Sequence, residues 1–113
     1  MGFLSTFRHW KETAEYDSGE VIYTQGDPAD TLFVVLAGEV ELTLHDRSLG
    51  VEREGGIIGE MALLDAATRN STATARSGVK LAKLEREQFQ RLIGDNAEFA
   101  LRAMTILANR LRA

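Results

Sequence analysis

The chain has 113 residues, 44% of them hydrophobic, enough for one domain with its own core, and thirteen basic against seventeen acidic residues give a net charge of −4, which excludes generic nucleic-acid binding. With no cysteine it has neither a disulfide framework nor a thiolate metal site, which fits a reducing cytoplasm. Arg8, Lys11 and Glu12 interrupt the first apolar segment too soon for a signal-peptide core, and no run approaches a membrane span, so the expectation is a cytoplasmic protein without membrane contact.

Phe3, Phe7 and Trp10 recur at intervals of four and three and predict a short amphipathic N-terminal helix that packs on the domain. VIYTQ reads as a strand ending at the turn cluster Gly26, Asp27 and Pro28. TLFVVLAGEVELTLH predicts two strands joined at Ala37 and Gly38 as a half-buried antiparallel hairpin. Val40, Leu42 and Leu44 share one face, and Glu39, Glu41, Thr43 and His45 the other. Further strands are expected over Leu49–Arg53, Asn70–Arg76 and Val79–Leu84, with turn chemistry at Asp46, at Gly55 and Gly56, and at Ser77 and Gly78. Short strands at this spacing indicate a barrel or sandwich rather than a parallel sheet.

Glu85 to Ile93 has helical character and stops near Gly94, after which Asp95 or Asn96 caps a last helix running to about Leu111. Its polar residues Glu98, Arg102, Thr105, Asn109 and Arg112 form one narrow stripe, and the remaining apolar arc is wider than packing on a single surface needs. A second contact, a homodimer through this helix, is the simplest use of the excess. The whole reading is one domain, 1–113, with a barrel over about 17–85 and C-terminal helices over about 86–112.

The stretch IIGEMALLDAATRN carries the chemistry. Gly59 permits a backbone conformation closed to other residues, Glu60 to Leu64 start one helical turn, and the unpaired first amides of such a turn attract anions. Arg69 lies within folding reach, and an arginine fork beside such amides suits a phosphate. The alternative is that Glu60 complements the helix dipole and Arg69 pairs with Asp65 on the surface, worth roughly 0–1 kcal/mol. Glu60 would repel a phosphate directly, so beside an anion its role is to accept hydrogen bonds from hydroxyls of the same ligand. A phosphate tethered to a sugar satisfies both groups.

GEVIYTQGDPADTLFVVLAGEVEL, followed by GEMALL and then an arginine, resembles the cyclic nucleotide-binding domain of catabolite activators, kinase regulatory subunits and gated channels. The resemblance covers residues 7–112 and implies an eight-stranded jelly-roll β-barrel flanked by a short N-terminal helix and two C-terminal helices. It implies that Gly59 and Glu60 form the corner of a phosphate-binding cassette, with Glu60 on the ribose 2′-hydroxyl and Arg69 on the cyclic phosphate. Met61 and Ala62 then lend amides of the helix start, and Asn70 a further amide. Phe99, Ala103, Ile106 and Leu107 are the candidates for covering the purine. The implied protein is a non-catalytic sensor of cyclic AMP or cyclic GMP that signals through its C-terminal helix. It departs from the family pattern at Ile58, where phenylalanine is usual, at Thr68, where proline is usual, and at Asn70 and Ser71, where smaller residues are usual.

A second reading keeps the fold as a dimerising interaction module that needs no nucleotide, motivated by the wide apolar helix face and by Thr68 and Asn70. A metal enzyme is the weakest, because His9 and His45 lie far apart without ligand spacing; no metal or cofactor is expected. Ser71, Thr72 and Thr74 have no nearby histidine, and Gly55, Gly56 and Gly59 form neither a dinucleotide fingerprint nor a P-loop. With the last helix expected to end near Ala113, no helix-turn-helix is expected within these residues. The expectation is a sensor that acts on a separate downstream protein or is a piece of a longer one.

Overall fold

A computed structural model describes residues 3–112; the side chains of Phe3, Leu111 and Arg112, used in the helix readings above, lie outside the described residues. A 3₁₀ helix, Phe3–Phe7, precedes β1 (Thr13–Tyr16), β2 (Val21–Tyr23), β3 (Leu32–Ala37), β4 (Val40–Leu44), β5 (Arg47–Glu52) and the two-residue β6 (Ile57–Ile58). A second 3₁₀ turn, Glu60–Leu63, leads to β7 (Thr72–Ala75), β8 (Val79–Leu84), α1 (Arg86–Asp95) and α2 (Ala97–Arg112). The N-terminal helix is thus shorter than the aromatic spacing predicts, with Trp10 beyond its end. The strands β1 and β6 were not expected, and α1 runs past Gly94 to Asp95.

The strands form two antiparallel four-stranded sheets in the orders β1-β8-β3-β6 and β2-β7-β4-β5. The expected eight strands are present, but the closed barrel is replaced by two sheets in the manner of a sandwich or jelly roll. The expected hairpin over residues 31–45 is also not formed: β3 pairs with β6 and β8, whereas β4 pairs with β5 and β7. The chain crosses between sheets at Gly38, whose φ of 88° belongs to the left-handed region. A Cβ there would sit 2.1 Å from the Gly78 carbonyl oxygen, so this corner stacks directly on the β7–β8 corner. The Glu39 N–H donates to Ser77 Oγ at 3.1 Å and the Arg76 N–H to the Glu39 carbonyl at 2.8 Å.

Burial explains two different sequence patterns. In β3, Phe33 and Val35 face the core between the sheets, while Leu32 and Val34 face the helices, so the strand is apolar without interruption. In β4, Val40 and Leu42 are buried in the same inter-sheet core and Glu41 and Thr43 are not, which gives the clean alternation. His45, assigned above to a strand face, instead forms with Asp46 a two-residue turn in which both residues have positive φ, 51° and 65°.

The helices cover the outer side of the first sheet. Glu85 and Gln88 form a reciprocal capping box at the start of α1. Of the two candidates for capping α2, Asn96 does so: its Oδ1 accepts from the Phe99 N–H at 2.9 Å and its Nδ2 donates to Thr6 Oγ1 at 3.0 Å. Phe99 lies between Phe7 and Phe89, with ring centroids 6.0 and 5.5 Å away, which welds the N-terminal turn, α1 and α2 into one cluster. No described helix is long and apolar enough to cross a membrane.

Candidate functional site

The stretch after β6 begins at Gly59, where φ of 79° turns the chain into the 3₁₀ turn Glu60–Leu63. A Cβ at Gly59 would lie 2.7 Å from Arg69 Nη1 and 3.1 Å from the Thr31 carbonyl oxygen, so glycine is needed here for space as well as for conformation. The Ala62 N–H donates to the Gly59 carbonyl at 3.1 Å. Its amide is therefore engaged inside the turn, contrary to the expectation of an unpaired donor, because a 3₁₀ turn closes one residue sooner than an α-helix. The Ala62 side chain is buried in the cluster that holds Phe99, while Glu60 and Met61 are half-buried.

The loop behind this turn is tied to a distant segment. The Ala29 N–H donates to the Ala67 carbonyl at 3.0 Å, the Arg69 N–H to Asp27 at 2.8 Å, and the Gly26 N–H to the Arg69 carbonyl at 2.9 Å; Thr68 faces Pro28 in an isolated antiparallel bridge. Backbone pairing with the Gly26–Ala29 turn thus restrains a loop whose own sequence lacks a proline. Ala66 takes a positive φ of 54°, a local strain of the kind held at ligand loops by surrounding structure.

This framework points Arg69 inward, and its side chain is 4% exposed. Nη1 donates to the Gly59 carbonyl at 3.2 Å and Nη2 to Thr31 Oγ1 at 3.4 Å, while Nε is buried and meets no acceptor among the described residues. The Asp30 carboxylate lies 3.9 Å from Nη2 but is itself 84% exposed. A guanidinium is thereby buried at the Gly59 corner beside the loose, solvated counter-charge of Asp30, an arrangement that an incoming anion would stabilise. The alternative pairing with Asp65 is not formed. Asp65 joins Arg86 of α1 at 2.5 Å, and Arg86 also donates to the Leu63 carbonyl at 3.4 Å, tying the turn to that helix.

The remaining candidates separate. Asn70 is exposed beside Arg69, and Ser71 is buried. Phe99 and Ala103 are core residues, whereas Ile106 and Leu107 are half-buried on the same helix. Leu101 and Met104, on the far side of α2, are 63% and 57% exposed. The surroundings of Arg69 include four residues that the sequence reading did not place at the site: Tyr23 and Phe33, whose ring centres lie 4.3 and 5.9 Å from the guanidinium carbon, and Asp30 and Thr31. Proximity in sequence gives no sign of them; the one clue is an aromatic residue at the end of the short strand VIY. Among the described residues no group of three or more histidine, aspartate or glutamate side chains is placed to hold a metal ion.

Residues 13–96 match the family described as the cyclic nucleotide-binding domain. A cAMP-dependent protein kinase regulatory subunit of Emericella nidulans is 36% identical over 85 residues, which cover 74% of this chain and 21% of the relative. The catabolite activator protein of Thermus thermophilus superposes with a TM-score of 0.76 at 32% identity, covering 96% of this chain and 54% of its own. The global regulator CLP of Xanthomonas campestris, described as responsive to c-di-GMP, superposes with a TM-score of 0.80 at 26% identity, covering 96% of this chain and 58% of its own. The chain thus spans about a fifth of the kinase subunit and just over half of the two regulators. On the matched residues, the two-sheet fold and the Gly59–Arg69 corner together, the chain belongs to the cyclic nucleotide-binding domain family.

Proposed function

We propose that this chain is a regulatory module that binds a cyclic nucleotide, cyclic AMP or cyclic GMP, without catalysing a reaction on it. The observation that carries the reading is Arg69, a buried guanidinium at a helical turn, with a donor to spare among the described residues and a loosely held carboxylate beside it. In this reading Arg69 takes the cyclic phosphate, Glu60 accepts from the ribose 2′-hydroxyl, and amides at Met61 and Asn70 complete the cradle at Gly59. Ile106 and Leu107 of α2, still partly accessible, close over the base.

A micromolar ligand needs about 8 kcal/mol and one charge-assisted hydrogen bond supplies roughly 1.5–3, so the sugar, the amides and the base must contribute the rest. Isothermal titration with cyclic AMP, cyclic GMP and c-di-GMP tests the reading. Saturable heat with one of the two mononucleotides in the micromolar range is expected; no heat from either up to millimolar concentration overturns it. Binding of c-di-GMP alone would reassign the ligand.

The signal would leave through the helices. Arg86 links the cassette turn to α1, and the contact of Phe89 with Phe99 links α1 to α2. A ligand that holds the turn in one position then biases the packing of α2, a population shift rather than a new fold. The exposed Leu101 and Met104, with the exposed Ala97 and Ala108, fall at intervals of four, three and four on α2. They form an apolar seam suited to a second copy of the helix and, through it, to a change in a downstream protein. Sedimentation at tens of micromolar should show a dimer, and the double change L101E and M104E should give a folded monomer; a monomeric wild type would refute the seam.

A further inference from the structure

A buried guanidinium normally meets a carboxylate, but one set firmly against Arg69 would occupy the donors that an incoming anion needs. Asp30 is not set in that way: it stands 3.9 Å off and is 84% exposed. Instead the guanidinium carbon lies 4.3 Å from the centre of the Tyr23 ring. Phe33 stacks behind, its ring 6.2 Å from that of Tyr23 at an interplanar angle of 17°. An aromatic face attracts a cation through its quadrupole while leaving the in-plane N–H groups uncommitted. Here they point to the Gly59 carbonyl and Thr31 Oγ1, and the Nε–H has no acceptor among the described residues.

We propose that Tyr23, backed by Phe33, is a positioning residue of the anion site: its ring seats the Arg69 cation in the apo and ligand-bound states and keeps the donors not used by Gly59 and Thr31, the Nε–H first, for the ligand phosphate. The proposal rests on the reading of Arg69 as the phosphate-binding group. The seat is built where the two sheets face each other, since Tyr23 ends β2 of one sheet and Phe33 belongs to β3 of the other. The site is therefore completed by the sandwich core as well as by the cassette loop.

The test varies the charge of the ring face at nearly constant volume. Phenylalanines bearing one, two or three ring fluorines are placed at position 23 beside Tyr23→Phe and Tyr23→Leu, and cyclic AMP and cyclic GMP are titrated into each. Tyr23→Phe should bind within about threefold of wild type, and affinity should fall stepwise with fluorine count. Tyr23→Leu should lose about two- to thirtyfold, the range a cation–π contact supplies. A purely steric role would leave the fluorine series flat, and a flat series, or tighter binding by Tyr23→Leu, overturns the proposal. Thermal unfolding of the same series without ligand, in the Arg69 and Arg69→Met backgrounds, separates the two layers. If the wild type binds no nucleotide, the functional reading and the ligand part of the proposal both fall. A midpoint that still declines with fluorination only when Arg69 is present then upholds the seat, and equal slopes in both backgrounds overturn it too.

Discussion

Phe99→Ala should lower the stability of the domain by about 3–5 kcal/mol, the usual cost of deleting a fully buried phenyl ring. Phe99 is 0% exposed and touches both Phe7 and Phe89, so its removal opens a cavity where three elements meet. A loss of that size is a large share of the roughly 5–15 kcal/mol that holds a typical domain together. Urea unfolding followed by circular dichroism reads it as a drop in midpoint with little change in slope. Phe99→Leu should recover most of the loss, because it restores apolar volume. A variant within about 1 kcal/mol of wild type would mean that α2 is not an integral part of the domain core. The result also bears on the ligand, since a residue that carries this much packing cannot also swing out as a lid over the base. In the proposed reading that role is left to Ile106 and Leu107, which are half-buried.

Arg69→Ala should weaken cyclic nucleotide binding by about tenfold to a hundredfold, corresponding to the roughly 1.5–3 kcal/mol of a charge-assisted hydrogen bond. Its effect on unliganded stability should be small and of either sign. The change removes apolar stem packing, but it also removes a buried cation whose counter-charge is loose and solvated. Arg69→Lys should not restore affinity, because an ammonium lacks the planar fork that presents several donors to one phosphate. Calorimetry and urea unfolding on the same preparations check both halves. Unchanged affinity would remove Arg69 from the phosphate site, and a wild type that binds no nucleotide yet still self-associates would favour the reading as a nucleotide-independent interaction module.

How much could be read in advance varies with the range of the interactions. The GDP turn, the β8 strand over Val79–Leu84, the helical turn at Glu60 and an Asn96 cap are each written within a few residues, where propensity and side-chain-to-backbone bonding decide the outcome. TLFVVLAGEVELTLH misled because alternation reports burial and not pairing. Its two strands have the right pattern for a hairpin, yet Gly38 carries the chain from one sheet to the other. In the site, Gly59, Glu60 and Arg69 stood out by residue type, but the company of Arg69 did not.

By itself the sequence determined most of the strand and helix segments and the sharp corner at Gly59, and it singled out Glu60 and Arg69 as candidates for a sugar and a phosphate, because these depend on local conformation and on side-chain chemistry. Only the tertiary structure decided that Asp65 faces Arg86, that Phe99 and Ala103 belong to the core, and that Arg69 rests on Tyr23 and reaches Gly59 and Thr31. Those outcomes follow from sheet order and close packing. Residues far apart in the chain meet there, and a side chain's partner is set by which elements are pressed together.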